Sequence, residues 1–179
     1  MISRKLRKLK RNPRLFFEDM LKNHRSKINK SFDYKNIDNG NFNYTVVSAV
    51  YGVEKYLNNY FKSITTQSLN FEKNITLIMV DDGSQDGSKK IIQEWCKKFP
   101  ENIIYIYKEN GGQASARNLG MKYAVGDWIT FIDPDDTVDS DYFLNVDMFL
   151  AQEKYEQVAL ACCNYIFNIE GKGLSDRHP

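Results

Sequence analysis

From residue 44 onward, short apolar runs alternate with segments in which apolar residues recur at every third or fourth position. The runs predict strands buried on both faces, and the spacing predicts amphipathic helices. The run Trp128–Ile132, for example, has the pattern of a buried strand. The predicted order is strand Tyr44–Val50, helix Glu54–Ser68, strand Ile75–Val80, helix Ser88–Phe99, strand Ile103–Tyr107, helix Gly111–Ala124, strand Asp127–Ile132, helix Ser140–Glu153 and strand Val158–Tyr165.

This alternation predicts an α/β fold with a mostly parallel sheet, right-handed crossovers and helices on both faces. In such sheets, ligands bind beyond the carboxyl ends of the strands. The 179 residues are enough for one domain with a sizeable core. We expect a basic helical arm over residues 1–30, a linker rich in Asn, Asp and Ser over residues 31–43, and the α/β domain over residues 44–179.

Charge is distributed unevenly along the chain. Residues 1–30 hold eleven basic and two acidic side chains, although the whole chain has a formal net charge of only +2. A basic arm on an acidic domain indicates contact with phosphate groups, and we expect the arm to bind an anionic membrane surface. We do not expect it to bind nucleic acid, because Phe16 and Phe17 are its only aromatic side chains on which bases could stack. The alternative is a solvated helix that packs on another part of the protein.

The cysteines and the apolar segments indicate a compartment. Cys96, Cys162 and Cys163 are odd in number and lack metal-ligand spacing, which argues against a disulfide framework. No apolar run reaches the roughly 18–20 residues that span a bilayer, and the first residues lack the apolar core of a secretory signal. We therefore expect a cytoplasmic protein, peripheral at the inner face of the cell membrane.

Three carboxylates directly follow the fourth predicted strand, at Asp133, Asp135 and Asp136. Like charges at a strand end cost free energy unless a cation lies between them. Hard divalent cations take oxygen ligands, so this segment predicts a metal site that in turn binds a phosphate. Asp81 and Asp82 directly follow the second predicted strand, so we expect them at the same edge of the sheet.

A glycine turn precedes the helix after the third strand. In the segment Asn110–Asn118, this turn directs backbone N–H groups outward, and a helix N-terminus favours an anion there. Contact with a phosphate and ordinary capping of the helix both fit this pattern. Arg117 is expected to pair either with the strand-end carboxylates or with a phosphate.

Two other interpretations of the acidic loops are weaker. The loop Asp82–Gly87 resembles a calcium loop, but Ser84 and Gln93 occupy the third and twelfth positions, so two carboxylate ligands are missing. We expect a strand-to-helix turn there, with Asp86 or Ser88 as the helix N-cap. The segment 133–137 also matches the pattern of aspartyl-nucleophile phosphatases of the haloacid dehalogenase type. That pattern ends the first strand of its fold, however, and here it ends the fourth.

Taken together, five segments resemble the family-2 glycosyltransferases in order and spacing. They are Val46–Glu54, Ser63–Ser68, Val80–Ser88, Asn110–Asn118 and Phe131–Asp136. The resemblance implies a GT-A fold, whose Rossmann-like half binds a nucleotide-activated sugar. It also implies that the α/β domain of this chain is a nucleotide-sugar-binding domain.

The resemblance implies a role for particular residues. Ala49 and Tyr51 stand where the first strand meets the nucleobase, and Asp82 stands where a carboxylate accepts a hydrogen bond, commonly from the uracil N–H. The chain departs from the family pattern at Ala49, where Pro is frequent, and at Gly52, where Asn is frequent. The implied nucleotide-sugar-binding residues are Ala49, Tyr51, Glu54, Asp82, Asn110, Gly112, Arg117, Asp133, Asp135 and Asp136, and the implied ligands of Mn²⁺ or Mg²⁺ are Asp135, Asp133 and Asp136.

The function that the resemblance implies is a metal-dependent, inverting transfer from a UDP-linked sugar to a glycan or lipid-linked acceptor, in bacterial surface polysaccharide synthesis. In relatives the general base lies some tens of residues beyond the strand that corresponds to Val158–Tyr165. We therefore expect the base beyond Pro179 and assign no catalytic residue. The alternative is a truncated nucleotide-binding fragment without transferase activity, because the acceptor half and the base are absent.

Overall fold

The computed structural model describes residues 40–151, 167–169 and 173–175. The basic arm, residues 31–39 and the predicted strand Val158–Tyr165 lie outside the described residues. No helix in the described ranges is long and apolar enough to cross a bilayer. The elements, numbered in chain order, are β1 (Tyr44–Val50), α1 (Glu54–Thr65), α2 (Phe71–Asn74), β2 (Ile75–Asp81), α3 (Ser88–Lys98), β3 (Ile103–Tyr107), α4 (Gln113–Met121), β4 (Trp128–Phe131), α5 (Tyr142–Leu150), β5 (Phe167–Ile169) and β6 (Gly173–Ser175).

The first four strands form one parallel sheet in the order β3-β2-β1-β4. β1 pairs with β2 along its whole length, with Tyr44 opposite Ile75 and Val50 opposite Asp81. On its other side, β1 pairs with β4, with Tyr44 opposite Trp128. β5 and β6 form a separate antiparallel pair. The predicted α/β fold with a parallel sheet is confirmed.

Helices cover both faces of this sheet. On one face, α4 places Ala116 in a buried cluster with Val47 and Val80. Side chains of neighbouring strand positions point to opposite faces, so Ser48 lies on the other face. There its hydroxyl bonds the hydroxyl of Tyr60 on α1. The central strands are therefore buried on both sides, which explains why their apolar runs are continuous.

Aromatic rings hold the helices of the second face together. Phe61 of α1 stacks on Trp95 of α3, with ring centroids 5.1 Å apart. Phe143 of α5 packs against Tyr44 of β1 at 5.5 Å. Such pairs stabilise a core beyond the burial of their area, by about 0.5–1.5 kcal/mol each.

The strand β4 differs from its prediction. It lies at one end of the described sheet, and Ile129 and Phe131 are 47% and 43% exposed. The expectation that this strand is buried throughout is therefore wrong for these two positions. The physical reason is that α4 packs mainly over β1 and β2, so within the described part of the chain it covers the same face of β4 only in part.

All four predicted helices are longer than the observed ones, and two of the differences have a clear physical reason. Helix α1 stops at Thr65, and the next residues bond the loop after β4: the Gln67 amide donates to the Asp139 carbonyl at 2.7 Å. Helix α4 begins only at Gln113, since Gly112 before it has φ +86°. The short helix α2 was not predicted; the side chain of Asn70 caps it by accepting from the Lys73 N–H.

The last residues of the predicted linker are bonded to the domain. The buried carboxylate of Asp147 on α5 accepts from the N–H groups of Asn41 and Phe42, at 2.9 and 3.0 Å. It also accepts from the Tyr44 hydroxyl at 3.0 Å. The residues directly before β1 are therefore held against the domain by hydrogen bonds to α5.

Gly120 on α4 lies against β1 and β2. A Cβ atom at this position would lie 2.4 Å from Cγ1 of Val47 and 3.2 Å from Cγ2 of Val80. Because packed β-branched side chains cannot move aside freely, we expect Gly120→Ala to lower the free energy of unfolding by about 1–3 kcal/mol. This loss should exceed the gain in helix propensity of about 1 kcal/mol. Urea denaturation followed by circular dichroism measures the change.

The matched control is Asn118→Ala, at an exposed position of the same helix. This change adds no atom toward the sheet, so the free energy of unfolding should stay the same or rise slightly. Equal stabilities of Gly120→Ala and Asn118→Ala would contradict the close approach of α4 to the sheet.

Candidate functional site

A cavity of about 320 Å³ opens at the carboxyl ends of the strands. It brings together seven of the ten predicted binding residues, which come from the ends of β1, β2 and β4 and from the turn before α4. Glu54, Arg117 and Asp136 do not line it. The lining residues are Ala49, Val50, Tyr51, Val53, Asp82, Asn110, Gly112, Gln113, Asp133, Pro134 and Asp135.

Reciprocal hydrogen bonds join the loops that follow β1 and β2. The Asp86 carboxylate accepts from the Glu54 N–H at 3.0 Å, and the Glu54 carboxylate accepts from the Gly87 N–H at 2.8 Å. Glu54 was predicted as a binding residue, but its carboxylate lies outside the cavity and supports the neighbouring loop. The N-cap position of α3 is held by Gly87, so the prediction of Asp86 or Ser88 as the N-cap is wrong. Asp86, one residue earlier, accepts from the Ser88 N–H at 3.0 Å.

Asp82 is 3% exposed, and protein donors surround its carboxylate. The Lys108 ammonium donates to Oδ1, the Gly111 N–H donates to the same atom at 3.0 Å, and the Gly112 N–H donates to Oδ2 at 2.7 Å. Burial alone would raise the pKa of this carboxyl, but the hydrogen bonds from Lys108 and the two glycines outweigh burial. The pKa of Asp82 therefore lies below its usual value.

These contacts correct one expectation about the glycine turn. The anion that the Gly111 and Gly112 N–H groups bind is the Asp82 side chain, so these two groups are not left for a phosphate. The turn requires glycine, because Gly112 has φ +86°. At Gly83, on the facing loop, φ is +82°, and a Cβ would lie 3.1 Å from the Asn110 nitrogen.

Arg117 and Gln113 both bind Asp133. The Arg117 guanidinium donates to Oδ1 of Asp133 at 2.6 Å, and the Gln113 amide donates to the same atom at 3.1 Å. The guanidinium also lies over the Phe131 ring, 5.6 Å from its centroid. Two alternatives were predicted for Arg117, and the structure shows the pairing with a strand-end carboxylate.

Hydrogen bonds to β1 and within the loop hold the segment that carries the three aspartates. The Ser48 hydroxyl donates to the Ile132 carbonyl at 2.7 Å, and the Asp136 N–H donates to the Asp133 carbonyl at 3.0 Å. Asp135 and Asp136 are exposed. Partial desolvation of the carboxyl group, followed by the negative charges of Asp135 and Asp133, nevertheless raises the pKa of Asp136. Negative charge thus accumulates on this loop.

The donor set of this loop suits a hard divalent cation. In the part of the chain that the structure describes, no three His, Cys, Asp or Glu side chains are grouped as a metal site. Mg²⁺ is usually bound by one or two carboxylates together with substrate phosphates, however, so a ready-made cage is not required. The accumulated charge of Asp135 and Asp136 fits such an ion, whereas Oδ1 of Asp133 already has two donors. The metal ligands stay a prediction.

Two polar residues of the site were missed by sequence reasoning. Lys108 follows β3 at the same edge of the sheet, and Gln113 is the first residue of α4. The rule that ligands bind at strand ends pointed to the loop containing Lys108. No pattern in the sequence revealed its partner, because Lys108 and Asp82 lie 26 positions apart in the chain.

Comparison with known proteins agrees with this geometry. The sequence pattern of the family described as Glycosyl transferase family 2 matches residues 45–177. The minor teichoic acid biosynthesis protein GgaB of Bacillus subtilis is 47% identical over 116 residues, which cover 65% of this chain and 13% of GgaB. Glycosyltransferase GlyA of Streptococcus pneumoniae is 38% identical over 133 residues, covering 73% of this chain and 18% of GlyA. The chain thus spans less than a fifth of these two relatives.

Two solved structures have a similar fold. S. aureus TarS in complex with UDP-GlcNAc matches with a TM-score of 0.56 and 25% identity, covering 60% of this chain and 31% of the TarS chain. A mannosyltransferase from Pyrobaculum calidifontis, in complex with GDP-Man and Mn²⁺, matches with a TM-score of 0.58 and 21% identity, covering 69% and 35% of the two chains. With its parallel α/β sheet of the GT-A type, the chain belongs to glycosyl transferase family 2.

Proposed function

We propose that this chain forms the donor-binding part of a metal-dependent, inverting glycosyltransferase that uses a UDP-linked sugar to build a bacterial surface polysaccharide. The observation that carries the proposal is that Tyr51, Asp82, Asn110, Asp133 and Asp135, from separate loops, line one cavity. The teichoic acid role in the name of GgaB supports the class of polymer. The UDP-GlcNAc complex of TarS supports the class of donor.

The nucleobase lies at the end of the cavity formed by β1 and β2. Tyr51 is 58% exposed there, and it offers a ring face on which a base can stack. Asp82 lines the same cavity and offers a carboxylate oxygen to a ring N–H. A flat aromatic contact together with one directional polar contact is a common arrangement in small-molecule sites.

The diphosphate lies at the end formed by β4. Asp135 lines the cavity there, and Asp136 follows it in the same turn. A bound Mn²⁺ or Mg²⁺ would neutralise the charge that gathers on the diphosphate as the glycosidic bond breaks. The Mn²⁺ complex of the Pyrobaculum mannosyltransferase supports the use of a divalent ion. Arg117 and Gln113 hold Asp133 in place beside this site.

The acceptor in this proposal is a glycan or a lipid-linked sugar, whose hydroxyl must lose a proton to a general base. Two carboxylates of the cavity are unsuited to this task, because Asp82 binds Lys108 and Asp133 binds Arg117. We assign no general base among the described residues. The prediction that the base lies beyond Pro179 stays a prediction.

We expect the chain to bind UDP in the presence of Mn²⁺, and Asp135→Ala to weaken this binding by at least roughly tenfold, since changes even in the outer shell of a metal site cost about 10–100-fold. Isothermal titration calorimetry with Mn²⁺ and with a chelator measures the affinity. The matched control is Glu101→Ala, which removes an exposed negative charge before β3, at the opposite edge of the sheet. Equal UDP affinity with Mn²⁺, with chelator and in Asp135→Ala would contradict the proposed metal site.

We also propose that the basic arm, residues 1–30, binds the anionic inner face of the cell membrane. Its eleven basic side chains support this, because each Lys or Arg near an anionic surface contributes about 1 kcal/mol. The full chain should sediment with vesicles that contain phosphatidylglycerol but not with phosphatidylcholine vesicles, and deletion of residues 1–30 should abolish sedimentation. Sedimentation that does not change on deletion would show that the arm is not the membrane-binding segment.

A further inference from the structure

The Asp82 carboxylate has one acceptor position to spare. A carboxylate offers about four lone-pair sites, two on each oxygen. Lys108 and Gly111 donate to Oδ1, and Gly112 donates to Oδ2. One site therefore remains on Oδ2, on a residue that lines the cavity.

Lys108 reaches this carboxylate from outside the cavity, since it is not among the lining residues. Its side chain is 18% exposed, and the ammonium also donates to the Glu109 carbonyl. A Cβ at Gly111 would lie 2.8 Å from the Lys108 Nζ, so the glycine turn closes over the ammonium. The ion pair thus forms part of the cavity wall, with Asp82 facing the cavity and Lys108 behind it.

The charge of Asp82 decides which base it can bind. An ionised carboxylate only accepts hydrogen bonds, whereas a protonated one can also donate. Uracil presents a ring N–H at position 3, and cytosine presents a bare ring nitrogen there. Facing an ionised Asp82, uracil gains a charge-assisted hydrogen bond, and cytosine places one lone pair against another.

We propose that Lys108 is a positioning residue for base selectivity: it holds Asp82 as an obligate acceptor, so that the cavity takes uracil and rejects cytosine. This inference rests on the proposed function, because it requires that Asp82 faces the nucleobase. Lys108 itself does not touch the donor. The lowered pKa of Asp82 agrees with this role.

The test compares UDP with CDP, which share ribose and diphosphate and differ only in the base. Calorimetry at pH 7 with Mn²⁺ gives both affinities for the parent chain and for Lys108→Met, Lys108→Arg and Lys97→Met. We expect Lys108→Met to weaken UDP binding roughly tenfold and to reduce the preference for UDP over CDP by a similar factor. Lys108→Arg should keep the preference, and so should Lys97→Met, which removes an exposed charge on α3.

The ratio of the two affinities separates base selectivity from a general loosening of the site, which would weaken UDP and CDP equally. If Lys108→Met fails to fold, Lys108→Gln keeps a polar side chain under the turn and should show the same loss of preference. If the parent chain prefers UDP and Lys108→Met and Lys108→Gln keep this preference, the role of Lys108 is overturned while the proposed function stands. A parent chain that binds neither nucleotide would overturn the proposed function and, with it, this inference.

Discussion

Parallel pairing of β1 with β2 on one side and β4 on the other is the constraint on which the site depends. The register places the end of β1 beside Asp81, and Ser48 of β1 holds the Ile132 carbonyl directly before the acidic loop. Parallel strands all end at one edge, so side chains from three distant segments meet there. Loss of this pairing would separate the proposed nucleobase end of the cavity from the proposed metal end.

Two ion pairs then define the electrostatics of that edge. Lys108 pairs with Asp82, and Arg117 pairs with Asp133, whereas Asp135 and Asp136 are exposed and have no ion pair among the described residues. Each pair leaves a carboxylate held in one orientation, which is the kind of preorganisation that binding sites require. The cavity thus has one end with a buried carboxylate paired to Lys108 and another end with accumulated negative charge. That division matches a ligand with a polar base and a metal-bound diphosphate.

Much of this arrangement could be predicted from residue patterns, and some of it could not. The strand β1 has the predicted bounds, and seven of the predicted binding residues line one cavity. Glu54 instead binds the Gly87 N–H, and the glycine turn binds Asp82. For the glycine turn, contact with an anion was foreseen and its partner was not; for Glu54, the structural bond to another loop was not foreseen at all. Partners from separate loops depend on backbone geometry that no local pattern records.

The sequence by itself determined the order of strands and helices, because burial on two faces demands continuous apolar runs and amphipathic helices show a period of 3.6. It also determined which acids lie at strand ends. Only the tertiary structure decided which donor each acid meets: Lys108 reaches Asp82 across 26 positions, and Arg117 reaches Asp133 across 16. The reason is that hydrogen bonds need ångström-scale placement, which strand register and the glycine turn supply only in the folded chain.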